Sequence, residues 1–299
     1  MLARIQQSIA LLLLAAISAW AIYFSICGPL RWAPVGLILV VGGYTGAIGF
    51  EFLLLAASYS RRDPSRPSIA SLWRAWWLEI CVAPQVFLWR QPFRWRAFAD
   101  SLSSSPSGHR GVLLIHGFLC NRGLWNPWMQ RLRREGVPFI ALTLEPIFGA
   151  IDNYAAQIDE AIGRLQDATG KAPVLLAHSM GGLAVRAWLK DFGGADRIHH
   201  VVTVGTPHRG TSMARRARPA NARQMRIASP WLVALSEHES SRTYETFTCF
   251  WSRCDNIVFP TDSATLPGAA NRHLEATPHV RMAYHPEIFS EVLRLVEPA

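Results

Sequence analysis

The sequence predicts an α/β fold, a mostly parallel sheet with flanking helices, preceded by a hairpin of two apolar helices. Three observations predict it. From residue 111 onward, short apolar runs of strand length alternate with stretches of helical periodicity, the pattern of a parallel sheet covered by its crossover helices. Before residue 60, two apolar runs are each long enough to cross a bilayer. Hydrophobic residues make up 50% of the chain and charged ones 17%, so a sizeable core can form and disorder is excluded.

The amino-terminal runs come first. Residues 5–30 carry no charge, and a helix of about 20 residues spans a hydrocarbon core about 30 Å thick. After a break holding Pro29, Arg31 and Pro34, residues 35–59 are again apolar apart from Glu51. Glu51 is read as lying near its helix end and reaching toward the interface, rather than as an intramembrane functional acid. Arg4 and the amino terminus share one side of the hairpin with Arg61, Arg62 and Arg66, and Arg31 stands on the other. The positive-inside rule then puts both ends in the cytoplasm. A cleaved signal peptide is the competing reading, since Ala19-Trp20-Ala21 has cleavage-like spacing; the length of the run, its single preceding arginine and the second run behind it favour two spans.

Residues 69–98 interleave Trp73, Trp76, Trp77, Trp89 and Trp95 with Arg74, Arg90, Arg94 and Arg96. That mixture suits headgroup depth, where amphipathic rings and cations both find partners, and equally an aromatic layer packed on the following domain. The polar run Ser101-Leu102-Ser103-Ser104-Ser105-Pro106-Ser107 is a linker. The expected division is a hairpin at 1–60, a Trp/Arg-rich segment with linker at 61–107, and a catalytic domain at 108–299.

Within that domain, strands are expected at 111–115, 139–144, 174–177, 200–204 and 247–251, with a further stretch before His279. Helices are expected at 125–134, 154–165, 181–191 and 286–296, the third stopped by Gly193-Gly194 and the last opened by Pro286.

Ala177-His178-Ser179-Met180-Gly181-Gly182 falls between a strand and a helix, where a tight turn can present a serine hydroxyl. Such a turn needs small residues two places either side of the serine; Gly181 satisfies this fully and Ala177 nearly so. A serine in such a setting also occurs as an ordinary helix cap, the alternative reading of the motif taken alone. Ile115-His116-Gly117-Phe118 adds a strand ending in His-Gly, whose loop can aim amides at a developing oxyanion, with the backbone N–H groups of Phe118 and Met180 as the two donors. His116 itself is read as structural. A serine hydroxyl needs a base, and the base a carboxylate to fix its tautomer. Of ten histidines, His279 follows the last strand and precedes the terminal helix, with His285 and His273 as alternatives. Asp255, directly after a strand, is the acid upstream of it, with Asp262 as the alternative.

The net charge of +9 is almost all arginine, Lys171 and Lys190 being the only lysines. The arginines form separate clusters without zinc-finger or RNP-like spacing, which favours anionic lipid headgroups over nucleic acid. Five cysteines, an odd number, show no disulfide framework, and although Cys249 and Cys254 are close in sequence, unpaired thiols are expected. No metal-ligand spacing is present, so no metal or organic cofactor is implied. Residues 210–245 form the one insertion large enough for a lid, with Arg215, Arg216, Arg218, Arg223 and Arg226 ahead of Trp231, Leu232, Val233 and Leu235; a solvated basic loop is the alternative.

Ile115-His116-Gly117, the Ala177–Gly182 elbow, Thr206-Pro207-His208-Arg209-Gly210-Thr211, Cys254-Asp255-Asn256-Ile257-Val258 and Pro278-His279-Val280 together resemble bacterial lipases and esterases of the α/β-hydrolase superfamily, over residues 111–297. The elbow with alanine in first place is similar to that of the small Bacillus-type lipases. The resemblance implies an α/β-hydrolase fold, the triad Ser179, Asp255 and His279, and a serine hydrolase cleaving lipid-like carboxylic esters. The same triad serves an acyltransferase or thioesterase, and a catalytically idle membrane-tethered module is the reading from another class. The first hundred residues have no counterpart in the small secreted lipases, so the expected location is a bacterial inner membrane, multi-pass, with the catalytic domain cytoplasmic. The expected partners are the membrane and a lipid or ester small molecule.

Overall fold

A computed structural model of the chain describes residues 1–102, 108–239 and 241–297. Most of the linker expected at 101–107 therefore lies outside the described residues.

The chain opens with two long apolar helices, α1 (Leu2–Ile26) and α2 (Val35–Ser58), joined by a short 3₁₀ turn at Leu30–Trp32. Both are long and apolar enough to cross a membrane. Helix α3 (Ile69–Pro84) is capped by the Ser68 side chain, which accepts the Ser71 N–H at 3.0 Å. It continues through a π-helical stretch, Gln85–Arg90, into the short α4 (Gln91–Phe93). Its faces are sorted: Ala75, Glu79, Val82 and Ala83 recur at helical spacing and are buried, while Trp73 and Trp77 are exposed.

Six strands follow in one all-parallel sheet of order β2-β1-β3-β4-β5-β6. They are β1 (Val112–Ile115), β2 (Phe139–Ala141), β3 (Val174–His178), β4 (His200–Val204), β5 (Phe247–Trp251) and β6 (Ala270–His273). The helices between and after them are α5 (Asn126–Arg134), α6 (Ala155–Thr169), α7 (Met180–Phe192), α8 (Ala220–Gln224), α9 (Pro230–Glu237), α10 (His279–Met282) and α11 (Pro286–Val296). Strands β1 and β3 are buried along their whole length, as the centre of a parallel sheet covered on both faces requires. One core holds Leu113, Leu175 and Val201 against α6 and α7; the other holds Val112, Leu114, Val202 and Phe250 against α5 and α11.

A third cluster joins the amino-terminal helices to the sheet domain. Ile48, Phe52 and Leu55 of α2 pack with Ala75 and Ala83 of α3 against Cys254 and Phe259. Full burial of side chains of this size contributes about 1.5–3 kcal/mol each, so the contact is a substantial one. Tyr59 reinforces it, donating to the Arg253 carbonyl at 3.1 Å and lying 2.6 Å from the Thr261 hydroxyl.

The second strand ends earlier than its apolar run, at Ala141, because the Leu144 N–H is taken by His116 Nε2 at 2.9 Å and the chain leaves the sheet. All five cysteines are free.

Candidate active site

Strand β3 ends against α7 in a turn whose pivot, Ser179, sits at φ 56° and ψ −129°, a region that residues with a Cβ rarely occupy. Crowding explains the residues around it. A Cβ on Gly181 would lie 2.6 Å from the Ile115 carbonyl oxygen, and one on Gly117 would lie 2.7 Å from Ser179 Cβ. The turn is held by the Ser179 N–H donating to the Val204 carbonyl at 2.8 Å and by the Thr206 hydroxyl donating to the Ser179 carbonyl at 2.9 Å.

The two other predicted residues converge on this serine. His279 Nε2 lies 3.0 Å from Ser179 Oγ, and His279 Nδ1 lies 3.0 Å from Asp255 Oδ2. With Nδ1–H donating to the carboxylate, Nε2 is left to accept the serine proton. Asp255 is itself fixed: its Oδ1 accepts the N–H groups of Ile257 and Val258, both at 2.9 Å. Burial works to depress the His279 imidazolium, but the Asp255 carboxylate outweighs it by charge and hydrogen bond, with Glu79 adding to the effect, and holds His279 above its ordinary value.

Phe118 and Met180, the expected oxyanion donors, both lie beside the serine. Phe118 lines the cavity above Ser179, directly after the glycine that touches the serine. Met180 opens α7, where backbone N–H groups have no partner within the helix and the helix dipole favours negative charge. His116 is a positioning group: Nδ1–H donates to the Gly117 carbonyl at 2.8 Å while Nε2 accepts from Leu144, and burial pushes it down to about 4, so it stays neutral. His178 donates to the His279 carbonyl at 3.1 Å and is pushed down to about 3 by burial and then by the charge of His279.

The alternatives are engaged elsewhere. Asp262 is exposed and pairs with Arg209 at 2.9 Å. His285 caps α11, accepting the Glu287 N–H at 3.4 Å, and His273 lies on the edge strand, accepting the Arg253 N–H at 3.4 Å. Among the described residues, no group of three or more His, Cys, Asp or Glu side chains is placed to hold a metal ion.

Three more polar residues meet at the site, Glu79 and Asn256, which carried no expected role, and Glu51, which was expected to reach toward the interface. Glu79 accepts the N–H groups of Val280 and Arg281 at 2.9 and 3.2 Å, capping the short helix that carries His279. Burial raises it from 4.5 to about 7, against the pull of those amides. Asn256 accepts the His279 N–H at 3.2 Å and donates to Glu51 at 2.6 Å. Glu51 therefore turns toward Asn256 and the His279 segment instead of running out to the interface. A sequence signal was available, since Glu51 and Glu79 are, with Asp63, the only acids before residue 100.

Above Ser179 lies a largely apolar cavity of about 640 Å³. The arginine-rich insertion forms part of its wall. Ala214, Ala217, Ala222 and Met225 face the cavity, whereas Arg215, Arg216, Arg218 and Arg223 are exposed. Arg226 is tied down, donating to the Ala217 carbonyl at 2.6 Å.

The chain belongs to the alpha/beta hydrolase family, which it matches over residues 112–289. Among solved structures it is similar to a Bacillus licheniformis lipase in its mature form, at 14% identity with a TM-score of 0.56, covering 66% of this chain and 96% of that one. It is also similar to an Aspergillus fumigatus lipase B, at 18% identity with a TM-score of 0.57, covering 67% of this chain and 56% of that one, so it spans little more than half of the fungal enzyme. Both likenesses are of fold, and both neighbours are lipases. No curated protein sequence matches the chain.

Proposed function

We propose that the protein is a membrane-anchored serine hydrolase that cleaves lipid-like carboxylic esters through an acyl-serine intermediate. The observation that carries this reading is the chain of contacts Asp255–His279–Ser179 at the floor of an apolar cavity. In the proposed reaction, Ser179 Oγ attacks the ester carbonyl while His279 Nε2 takes its proton. The amides of Phe118 and Met180 hold the resulting oxyanion. Collapse breaks the bond to the alcohol, which leaves with the proton from His279. Water then enters, gives its proton to His279 and attacks the acyl-serine; collapse frees the carboxylic acid and returns the proton to Ser179.

Helices α1 and α2 are read as the anchor, two spans of a bacterial inner membrane with the catalytic domain on the cytoplasmic side. The contacts of α2 and α3 with the sheet domain support a fixed arrangement of anchor and enzyme. The exposed arginines of the insertion, outward of an apolar inner face, suit a surface of anionic headgroups.

Hydrolysis of p-nitrophenyl butyrate and palmitate by the full chain in detergent, beside Ser179→Ala, tests the reading. The variant should lose several orders of magnitude. Equal rates in both proteins would point away from serine chemistry, and folded protein idle toward both esters would favour a transferase or a binding module.

A further inference from the structure

The cavity above Ser179 is not made by the sheet domain alone. Leu2, Ile5, Gln6 and Ile9 of α1 line it, at positions that share one helical face. So do Tyr44, Ile48 and Glu51 of α2, again one face. The opposite faces, including Leu11 and Leu53, are exposed and apolar. Each hairpin helix thus has an inner face turned to the reacting serine and an outer face fit for lipid.

The exposed lining residues mark the mouth. Ile5 and Ile9 are 43% and 50% exposed, and Leu119 and Met213 are 42% and 36% exposed, although all four also line the cavity. The rim is apolar and one side of it is α1 itself. No arginine or lysine is among the lining residues, and the two acids are committed, Glu51 to Asn256 and Glu79 to backbone amides. An anionic group inside would meet two acids and no arginine or lysine; an uncharged chain would meet mainly hydrocarbon. The volume of about 640 Å³ falls within the range of about 300–1,000 Å³ usual for small-molecule sites.

We infer that the inner faces of α1 and α2 are one wall of the acyl-binding chamber, and that the chamber takes a single long uncharged acyl chain of a membrane-resident lipid ester, entering over α1 from the surrounding lipid. The headgroup stays at the rim, beside the exposed arginines of residues 215–223. The substrate class named here rests on the serine-hydrolase reading; the chamber's composition does not.

Two measurements on the full chain separate them. In the first, Ile9→Trp and Ile48→Trp fill the chamber while Leu11→Trp and Leu53→Trp place the same ring on the outer faces. Each methylene kept out of an apolar site costs about fourfold. The inner-face variants should therefore lower the palmitate-to-butyrate ratio of kcat/KM by about tenfold or more, and the outer-face variants should match wild type. An active wild type whose ratio is unmoved by both inner-face changes overturns the inference and leaves the hydrolase reading intact. In the second, Ser179→Ala protein in phosphatidylglycerol–phosphatidylcholine vesicles is irradiated with a monoacylglycerol bearing a diazirine at the chain end, and the adducts are mapped. Attachment within residues 2–9 and 44–51 supports the chamber even if no ester is turned over or a tryptophan variant misfolds. Adducts confined to residues 112–297 overturn it.

Discussion

The Glu79 carboxylate accepts the N–H of Val280 at 2.9 Å, one residue beyond His279, and thereby joins a helix of the amino-terminal segment to the short helix that carries the proposed base. Glu79 is 2% exposed, and once ionised, above about pH 7, its charge is felt at the imidazole with little screening by water. His279 thus has two acids beside it, Asp255 from the sheet domain and Glu79 from outside it.

Glu79→Gln should move the acid limb of the kcat/KM profile to lower pH. The base works as neutral imidazole. Nearby negative charge holds His279 above its ordinary value, so activity rises only as pH passes that raised value. Replacing the Glu79 carboxyl by a neutral amide removes part of that pull and lowers the histidine. A merely structural role would reduce activity without moving the limb, and a pH-rate series distinguishes the two.

Asp255→Asn should lower kcat by about 10³–10⁴-fold, because an amide can present its NH₂ to His279 and favour the wrong tautomer. The folded state should persist, since an amide oxygen still accepts from Ile257 and Val258. Circular dichroism beside the ester assay checks both parts. A variant within tenfold of wild type would remove Asp255 from the relay.

Ser179→Gly should melt at a higher temperature than Ser179→Ala. Both lose the hydroxyl, but glycine is relieved of the φ 56° that a Cβ makes unfavourable. A difference of about 1 kcal/mol corresponds to about 2–4 °C for a domain of this size. Equal melting temperatures would mean that the turn stores no strain in the native chain.

Deleting residues 1–60 should give an aggregating protein, not a soluble esterase. The deletion uncovers Ala75, Ala83, Cys254 and Phe259, removes a wall of the active-site cavity and leaves Asn256 without Glu51. Size-exclusion chromatography after expression is the check, and a monomeric fragment with wild-type turnover of butyrate esters would contradict the prediction.

Legibility in the sequence followed local physics. Strands β4 and β5 and helix α11 are readable to the residue, because each is an apolar run or periodic face bounded by a turn residue. The exposed edge strand β6 has no apolar pattern and only its rough position is readable. The elbow points to Ser179, but strand order leaves Asp262 beside Asp255 and His273 and His285 beside His279; it is the packing that brings Asp255, His279 and Ser179 into one chain of contacts. The docking of α1 and α2 on the cavity is not legible: helices apolar on every side give no periodicity to say which face meets protein. Glu51 and Glu79 are visible only as lone acids in an otherwise acid-poor segment, and which loops they reach is a matter of tertiary packing that spacing does not encode.

The most direct test of the central claim is mass-spectrometric mapping of the full chain after treatment with a fluorophosphonate. One stoichiometric adduct on Ser179 is expected, lost when His279 is replaced by alanine because the hydroxyl then has no base. Native, folded protein that stays unlabelled, or that labels at another serine, would contradict it.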